Sequence, residues 1–397
     1  IVKEAFATAM TGRKGPVVVD ITKNVFSKKA EYIDTVIDER KKTSSQVDVS
    51  EIITAVKLAQ KPVIIAGGGC IQSGATDELF KFVKALNIPV VSTMMGLGAY
   101  PQSDKNYIGM IGIFGQNSAN QTVRDSDLVI ALGTRFNDRI TCCFKKDDFA
   151  QKLVHIDIDS SEISKIVPAK IGVVADAKSV LEELNKKISM IAGFDFSAWL
   201  KEAKDFKMDD KQPLKRSDKM HSFEVLSKIA ECLKDKECVV TTEVGQHQVW
   251  AARYLQFNSP NKFITSGGLG TMGFGFPAAI GACVAKNKPV VCIAGDGSFQ
   301  MNLQELATCV DYNLSVKIFI LDNGYLGMVR QFQEKSCDER YFATKISNPD
   351  FLKLAESYGA KALRVEKVED IEDAINQAFS VDGIFIVDFA IEPKELL

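Results

Sequence analysis

Two oxygen-bearing side chains in the last third of the sequence have the chemistry of metal ligands. Asp296 lies in a Gly-Asp-Gly triplet directly after the apolar segment 290–294, and Asn323 follows the apolar segment 316–321 after one residue. Because parallel strands end at the same edge of a sheet, we expect both side chains to point into one crevice. Carboxylate and amide oxygens suit Mg²⁺ that is also held by the phosphates of a ligand. Asp and Asn also end strands in ordinary turns, so either residue alone has that simpler explanation.

The segment after Asp296 favours an anion site. Residues Ser298 to Val310 predict a helix whose N-terminus faces the same crevice. Free backbone N–H groups at a helix N-terminus bind anions such as a diphosphate, and the glycines of the triplet let the backbone approach a phosphate closely. The oxygen ligands and the helix together predict a site for a metal-bound diphosphate.

A competing pattern lies just upstream. The string from Gly268 to Gly273 matches Gly-x-Gly-x-x-Gly between a predicted strand and a predicted helix, and Asp296 lies 23 residues beyond it. This arrangement is typical of dinucleotide-binding folds, in which the acid binds a ribose. A nicotinamide-dependent dehydrogenase is therefore an alternative. That pattern does not require a second oxygen ligand one strand later, so we favour the metal–diphosphate interpretation.

A second glycine-rich turn lies in the middle of the chain. Gly67–Gly69 follows the apolar segment 62–66 and precedes a predicted helix. Such a turn admits a phosphate or an adenosine close to the backbone, although it is also compatible with a plain turn between a strand and a helix.

Short apolar segments alternate with helical patterns along two stretches of the chain. Continuous apolar strands separated by helices are typical of parallel sheets covered on both faces. We therefore predict an α/β protein with successive doubly wound parallel-sheet domains. The predicted strands are 62–66, 90–91, 128–132 and 153–157 in the first stretch, and 238–242, 262–265, 290–294, 316–321 and 383–388 in the second.

The chain divides into five predicted segments. The first combines a helix with an apolar strand, Val17–Ile21, and ends an earlier domain. Because Ile1 already lies inside a helical pattern, we expect a fragment that lacks most of an N-terminal domain. The segments are a domain remnant at 1–27, a linker at 28–48, a central domain at 49–188, a polar linker at 189–220 and a last domain at 221–397.

Composition excludes several classes of protein. The 397 residues carry 49 Lys and Arg against 51 Asp and Glu, a net charge of −2, which leaves no excess of cations to neutralise nucleic-acid phosphates. No apolar run approaches 18 residues, so we expect no membrane span. The nine cysteines show no Cys-x-x-Cys spacing, which favours reduced thiols in a cytoplasmic protein.

Four strings in the last domain carry a specific resemblance: Glu243–Gln248, Ser266–Gly275, Gly295–Asn302 and Leu326–Val329. Further strings match in the same order upstream, at Thr11–Pro16, Ser92–Gly98, Arg135–Arg139 and His155–Ser160. On these motifs the chain resembles the catalytic large subunit of acetohydroxyacid (acetolactate) synthases, which are thiamine diphosphate enzymes. The resemblance covers essentially the whole chain and implies that the remnant at 1–27 ends a pyrimidine-binding domain.

The resemblance implies a set of cofactor residues in the last domain. Mg²⁺ would be ligated by Asp296, Asn323 and the backbone oxygen of Tyr325. The Gly270 carbonyl would accept a hydrogen bond from the aminopyrimidine, and Met272 would be the wedge that bends the cofactor. For an isolated methionine, however, core packing is the simpler explanation. The residues expected to contact thiamine diphosphate are Gly245, Gln246, His247, Gly270, Met272, Gly295, Gly297, Ser298, Gly327 and Met328.

His247 has an alternative role. A histidine in an α/β crevice is often a hydrogen-bonded structural residue. Its place in the string Val-Gly-Gln-His-Gln favours a cofactor contact, but we do not expect it to act as a base.

The resemblance also implies an FAD in a non-redox role, bound by the central domain. The matching positions are Arg13, Gly67, Gly68, Thr93, Met94, Gly133, Arg135, Asp157 and Asp176. Met328, Val329 and Phe332 would line the substrate pocket. Three positions depart from the family pattern. Phe114 stands where His is frequent, Asn137 where an acid is common, and Phe332 where a tryptophan usually lines the acceptor pocket.

The implied activity is decarboxylation of pyruvate on thiamine diphosphate. The hydroxyethyl group then passes to pyruvate or 2-ketobutyrate, a step of branched-chain amino acid biosynthesis. The implied assembly is a homodimer or larger, with the active site between subunits and a regulatory small subunit as a further partner. The glutamate that activates the cofactor belongs to the N-terminal domain of the family. Glu243 lies beside the diphosphate motif but on another domain, so we expect the 397-residue chain alone to be inactive.

Two other functions are compatible with these motifs. A pyruvate oxidase would share the architecture but yield acetate and peroxide. A cofactor-binding fragment would bind thiamine diphosphate without turnover.

Overall fold

The computed structural model describes residues 1–31, 47–191, 193–210 and 217–397. Two six-stranded sheets dominate it, and all their strand pairs are parallel. The first sheet contains β1 (Pro62–Ala66), β2 (Val90–Ser92), β3 (Tyr107–Met110), β4 (Leu128–Leu132), β5 (Leu153–Asp157) and β6 (Ile171–Val174). The second contains β7 (Val239–Thr242), β8 (Phe263–Thr265), β9 (Val290–Gly295), β10 (Val316–Asp322), β11 (Lys361–Val365) and β12 (Phe385–Ala390).

Both faces of each sheet are covered. In β1, Val63 and Ile65 belong to one apolar cluster, whereas Ile64 and Ala66 belong to another on the opposite face. Successive side chains of a strand point to opposite faces, so a strand buried on both sides has a continuous apolar sequence. The predicted class, α/β with successive doubly wound parallel sheets, is confirmed.

Helices connect the strands. Two short helices, α1 (Val2–Met10) and α2 (Lys23–Phe26), precede the first sheet and have no buried residues. Those associated with the first sheet are α3 (Ser50–Leu58), α4 (Gly68–Ser73), α5 (Thr76–Leu86), α6 (Asn117–Asp125), α7 (Asp138–Thr141), α8 (Ala177–Lys186) and α9 (Ser197–Asp205). Those of the second are α10 (Ser222–Leu233), α11 (Gln246–Tyr254), α12 (Gly275–Lys286), α13 (Asp296–Phe299), α14 (Leu306–Asp311), α15 (Gly327–Ser336), α16 (Phe351–Ser357) and α17 (Ile371–Ser380).

Within the described residues, no helix has both the length and the apolar character needed to cross a membrane.

Strand order locates the crevice of each sheet. The first sheet has the order β3-β2-β1-β4-β5-β6 and the second β11-β12-β10-β9-β7-β8. In the first sheet, the chain leaves β1 towards β2 on one side and leaves β4 towards β5 on the other. In the second sheet, it leaves β7 towards β8 on one side and leaves β9 towards β10 on the other. In open α/β sheets ligands bind beyond the strand ends at such a switch point.

The same order decides between two interpretations of the string Gly268–Gly273. A dinucleotide fingerprint follows one strand, and its ribose-binding acid follows the neighbouring strand. Here the string follows β8, whereas Asp296 follows β9, and β7 lies between these strands. The topology therefore disfavours the dehydrogenase alternative.

Three strands were not predicted from the sequence, namely β3, β6 and β11, and each lies at an edge of its sheet. The predicted strand Val17–Ile21 is wrong. This segment has no strand pairing among the described residues, and Val18 is 91% exposed. Without a neighbouring strand to pair with its backbone, an apolar segment of this length does not form a strand.

The predicted helix from Ser298 to Val310 is also wrong as a single element. Helix α13 ends at Phe299, and α14 begins at Leu306 after a turn. Asn302 leaves the helical conformation at φ −137° and ψ 25°, and its side-chain amide donates to the Gly273 carbonyl at 2.7 Å. Backbone N–H groups of α13, rather than a long helix dipole, therefore face the Asp296 crevice.

Part of the predicted linker 189–220 is folded. Helix α9 lies within it, with Trp199 and Leu200 buried, and the Trp199 indole donates to the Pro62 carbonyl at 2.9 Å. The many charged residues of this segment hid the apolar face of a short helix. Residues 211–216 of this linker and 32–46 of the predicted linker 28–48 lie outside the described residues.

The two sheet units pack against each other at their loop-bearing edges. Leu97 from the first unit shares an apolar cluster with Trp250 and Phe257 from the second. The Arg253 guanidinium at the end of α11 donates to the carbonyl of Phe114 at 2.7 Å. These contacts leave the two switch points facing a common space.

Lys317 provides a pH-dependent test of the packing in the second sheet. It lies buried in β10, where its ammonium group donates to the carbonyls of Val381 and Gly383 at 2.7 Å each. Burial lowers the pKa of Lys317 to about 8. Between that pH and the ordinary lysine pKa, the unfolded chain binds more protons than the native one, so stability rises with pH. We expect this rise to contribute about 3 kcal/mol between pH 8 and pH 10.5.

Urea unfolding at several pH values measures this contribution. Lys317→Met should lack the rise, although it is less stable overall because two buried carbonyls lose their donor. Lys361→Met, at an exposed position of β11, should keep the wild-type slope. Equal slopes for Lys317→Met and wild type would contradict this account of Lys317.

Candidate active site

Asp296 lies at the switch point of the second sheet. It is the first residue of α13, directly after β9, and only 2% of it is exposed. One carboxylate oxygen accepts from the Gly297 amide at 3.0 Å, and the other from the Gly324 amide at 2.8 Å. Because Gly324 follows Asn323, the ends of β9 and β10 lie together, as the strand-end pattern predicts.

Asn323 and Tyr325 lie in the loop that follows β10, next to Gly324. The Asn323 amide oxygen accepts from the Tyr325 backbone N–H at 2.9 Å and keeps a second lone pair for another partner. Among the described residues, no cluster of three or more His, Cys, Asp or Glu side chains could hold a metal ion. One carboxylate with amide and backbone oxygens is a donor set of a different kind, and it suits a hard cation shared with a ligand's phosphates.

A network of charged and polar groups surrounds the Asp296 carboxylate. The Asn348 amide donates to both Asp296 and Asp322, at 2.7 Å each, and Arg364 forms ion pairs with Asp322 and Asp388. Burial raises the pKa of Asp296 to about 7, and the nearby Asp322 carboxylate acts in the same direction. A bound divalent cation would favour the ionised form through its charge.

Helix α11 presents its N-terminus to the same crevice. The first N–H groups of a helix have no partner within it, and in α11 these belong to the turn that starts at Gln246. Gly245, just before it, has φ 152°, and a Cβ at this position would lie 2.6 Å from the His247 ring. Only glycine fits this place, which lets the His247 ring pack close to the Gly245 and Gly295 backbone.

Gln246 carries an unpartnered polar atom. Its amide nitrogen donates to Gln331 at 2.9 Å and to the Glu395 carbonyl at 3.1 Å. Its amide oxygen is buried without a hydrogen-bond partner. A Cβ at Gly327 would lie 2.1 Å from that oxygen, so glycine at this position leaves room beside it. A buried acceptor oxygen close to Asn323 fits a cation or a hydrogen-bond donor there.

A cavity of about 2610 Å³ lies between the two sheet units. It reaches Gly270, Met328 and Phe332 on the side of the second sheet. Eight of the nine residues predicted to contact FAD line it on the other side: Arg13, Gly68, Thr93, Met94, Gly133, Arg135, Asp157 and Asp176. The predicted flavin residues and part of the predicted thiamine site therefore share one space.

Gly67, the ninth of these residues, lies at the switch point of the first sheet. A Cβ at Gly67 would lie 2.2 Å from the Gly133 carbonyl oxygen, and the Gly69 N–H donates to that oxygen at 3.0 Å. The loops after β1 and β4 can approach this closely only because they carry glycine. Their backbone then forms the floor of the cavity.

Three of the four charged residues of the predicted flavin site have partners within the protein. Arg13 pairs with Glu162 at 3.0 Å while its side chain stays 43% exposed, and its contact with FAD stays a prediction. Asp157 accepts from the Asp159 amide at 2.9 Å, and burial raises the pKa of Asp157. Asp176 caps helix α8. Arg135 is exposed at the cavity.

Other predicted residues lie around these centres. Ser298 is buried in α13, and Met272 is half-buried but does not line the cavity. Val329 and Phe332, on the first turns of α15, are 44% and 43% exposed. The contacts of these residues with a cofactor or substrate stay predictions. Of the positions that depart from the family pattern, Phe114 and Asn137 also line the cavity.

Sequence reasoning missed the contacts of two polar residues of the site, the half-buried Asn348 and the buried Glu243. Asn348 stands in a string, Ser-Asn-Pro-Asp, that indicates only the start of a helix. Glu243 was noted as a neighbour of the diphosphate motif, but nothing in the sequence shows that its carboxylate accepts from the amides of Gly275 and Gly295. Contacts between residues so far apart leave no local pattern.

Two family models match the chain. The central domain of thiamine pyrophosphate enzymes matches residues 49–184, and the C-terminal, cofactor-binding domain of these enzymes matches residues 243–389. Relatives align over the whole chain. A probable acetolactate synthase large subunit from Methanococcus aeolicus is 40% identical, with 100% of this chain and 70% of the relative covered. The chain belongs to the acetolactate synthase large-subunit family.

Acetolactate synthases from distant organisms also match the whole chain. The acetolactate synthase large subunit of Haemophilus influenzae is 38% identical over 99% of this chain and 71% of its own length. Acetolactate synthase 1 from tobacco chloroplasts is 37% identical over 100% of this chain and 62% of its own length. The resemblance to acetolactate synthases predicted from the motifs is confirmed. Asp296, Asn323 and Tyr325 all fall within the matched C-terminal domain.

Proposed function

We propose that the protein is an acetolactate synthase of branched-chain amino acid biosynthesis. It decarboxylates pyruvate and transfers the hydroxyethyl group to a second 2-keto acid, pyruvate or 2-ketobutyrate. One observation carries the proposal: Asp296, the Asn323 loop and the N-terminus of α11 meet at a switch point that lies beside a cavity shared with the first sheet.

The residues of the second switch point would hold Mg²⁺ and thiamine diphosphate. Asp296, Asn323 and the Tyr325 carbonyl supply oxygens for the metal. The residues around the diphosphate are Gly245, Gln246, His247, Gly295, Gly297, Ser298 and Gly327. When bound, the cofactor supplies the thiazolium that accepts the electron pair released by decarboxylation. The fit rests on the oxygen donor set, which suits the metal, and the unpartnered Gln246 oxygen beside it is a further acceptor that a cation, though not an ionised phosphate, can engage.

The second-sheet side of the cavity suits the reacting end of the cofactor. Gly270, which lines it, would accept a hydrogen bond from the aminopyrimidine at its carbonyl. Met272, from the same segment, would contact the rings of the cofactor. Met328, Val329 and Phe332 would surround the keto acid with apolar side chains, which exclude water and strengthen the electrostatic interactions made there.

FAD would occupy the part of the cavity next to the first sheet. The strand order of the first sheet is the common order of dinucleotide-binding sheets. The glycine turns after β1 and β4 also admit a cofactor close to the backbone. We assign the phosphate contacts to the backbone at Gly68 and to Arg135, because Arg13 is paired with Glu162. Asp157, at the end of β5, and Asp176, just after β6, line the same part of the cavity.

Two further properties belong to the proposal. Leu269, which lines the cavity, is 91% exposed, and this supports a homodimer in which a second copy covers the rim. A regulatory small subunit would be an additional partner.

The nine cysteines are all unpaired, which supports a reducing compartment such as the cytoplasm.

An oxidase is the second candidate, because one cavity joining a flavin site to a thiamine site also suits electron transfer between them. The products distinguish the two functions. Because we expect the 397-residue chain alone to be inactive, the assay uses the enzyme completed with the N-terminal domain of the family. Such a synthase, supplied with pyruvate, Mg²⁺, thiamine diphosphate and FAD, forms acetolactate and CO₂ with or without oxygen. An oxidase forms acetate and peroxide, consumes oxygen, and would overturn the proposal.

Replacing FAD by its 5-deaza analogue tests the role of the flavin. The analogue has the same shape but cannot do one-electron chemistry. Because the proposed reaction moves no electrons through the flavin, we expect turnover with the analogue to stay within about twofold of that with FAD. The measurement is acetolactate formation by the same completed enzyme at full occupancy of the flavin site. Loss of turnover at full occupancy would favour the oxidase.

A further inference from the structure

Glu243 joins three segments of the candidate active site. Its side chain is 1% exposed at the end of β7. One carboxylate oxygen accepts from the Gly275 amide at 3.0 Å, and the other from the Gly295 amide at 3.3 Å. The second oxygen also lies 3.2 Å from Nε2 of His247. A single buried carboxylate therefore contacts the start of α12, the end of β9 and the first turn of α11.

This carboxylate is not available to the ring of a cofactor. Both of its oxygens are engaged by backbone amides, and Glu243 does not line the cavity. A Cβ at Gly275 would lie 2.0 Å from the carboxylate, which shows how closely the backbone packs on it. These contacts argue against Glu243 as the acid that activates thiamine diphosphate.

We propose that Glu243 is a positioning residue that fixes the distance between the segment under the thiamine rings and the loop that holds Mg²⁺. The inference rests on the proposed function. Gly275 follows Gly270 and Met272 by only a few residues, and Gly295 immediately precedes Asp296. Through these two amides, one side chain links the segment for the rings to the loop for the metal and diphosphate.

The ring segment at Gly275 depends on Glu243 more than the metal loop at Gly295 does. Gly295 is also paired with Leu321 in the ladder between β9 and β10, so the sheet holds the metal loop in place. Gly275 is held by Glu243 at its N–H and by the Thr241 hydroxyl at its carbonyl, at 2.9 Å. A carboxylate at the N-terminus of the twelve-residue helix α12 also gains from the helix dipole. Loss of the carboxylate should therefore displace the ring segment more than the metal loop.

Glu243→Gln tests this inference in the complete protein. The amide group keeps the size of the side chain, but its NH₂ cannot accept from a backbone N–H. Isothermal titration with Mg²⁺ present should show at least a roughly tenfold weaker affinity for thiamine diphosphate. Affinity for inorganic diphosphate, which needs the metal loop and the first turn of α11 but not the ring segment, should change by less than about threefold. The ratio of the two affinities separates positioning from a general loss of structure.

Two other variants complete the experiment. Thr241→Val removes the second tie to Gly275 at nearly constant volume and should shift the ratio in the same direction. Glu237→Gln makes the same charge change at a side chain that is 75% exposed and should leave both affinities unchanged. Circular dichroism at the titration temperature shows which variants are folded. If Glu243→Gln is not folded, the Thr241→Val ratio decides.

Each outcome has a definite meaning. If the wild-type protein binds thiamine diphosphate and the ratio is unchanged in Glu243→Gln, the positioning role is wrong while the proposed function stands. Equal weakening for both ligands also overturns it, because Glu243 would then only stabilise the fold. If the wild-type protein binds neither ligand with Mg²⁺, the proposed function itself fails.

Discussion

Asp296→Ala is expected to weaken Mg²⁺-dependent binding of thiamine diphosphate by at least about 100-fold, because it removes the one carboxylate among the proposed metal ligands. The protein should stay folded, since the side chain lies at the end of β9, beyond the apolar layers of the sheet. Titration of thiamine diphosphate with and without Mg²⁺ measures the effect. Asp311→Ala, at the exposed end of α14, is the matched control.

A second variant separates the charge of Asp296 from its structural contacts. The carboxylate accepts from Gly297, Gly324 and Asn348, so alanine also removes three hydrogen bonds. Asp296→Asn keeps the size of the side chain and one accepting oxygen but loses the charge. We expect it to lose most of the Mg²⁺ dependence as well. Unchanged Mg²⁺ dependence in both variants would show that the metal lies elsewhere.

Gly245→Ala is expected to lower thiamine diphosphate affinity by roughly 100-fold, and to reduce the free energy of unfolding by about 2 to 4 kcal/mol. Two causes act together. The backbone has φ 152°, which disfavours any residue with a side chain, and the new Cβ would lie 2.6 Å from the His247 ring. His247 must move, and with it the first turn of α11.

Gly281→Ala is the control for this substitution. Gly281 lies inside helix α12, and a Cβ there would meet no heavy atom within 4 Å. Alanine at such a position stabilises a helix by up to about 1 kcal/mol, so affinity should be unchanged and thermal stability should rise slightly. Wild-type affinity in Gly245→Ala would mean that the turn before α11 does not shape the diphosphate site.

The sequence predicted the central strands of both sheets but not most of the edges. Strands such as β1 and β4 are buried on both faces, so their apolar runs are continuous and easy to recognise. β6 alternates between half-buried and exposed residues, and β11 has two exposed, two half-buried and only one buried residue. Edge strands have a covered neighbour on one side only, so their apolar signal is weak. β3 is buried but only four residues long, and it contains Gly109.

The site was predictable to the extent that it depends on strand ends. Asp296 and Asn323 follow neighbouring parallel strands, so their proximity follows from the sheet alone. Contacts that cross the fold were not predictable in this way. Asn348 reaches Asp296 from the loop before α16, and Glu243 reaches Gly275 across the switch point. The broken helix after Asp296 was missed for the same reason, because Asn302 turns out of the helix to bond a distant carbonyl.

The most direct test of the proposed site is anomalous scattering from crystals grown with thiamine diphosphate and Mn²⁺ in place of Mg²⁺. We expect one peak at the switch point of the second sheet, bonded at about 2.2 Å to oxygens of Asp296, Asn323 and Tyr325. The diphosphate should lie on the same ion, between it and the first turn of α11. A peak between Asp322 and Asp388 instead, or bound cofactor with no metal at Asp296, would contradict this account.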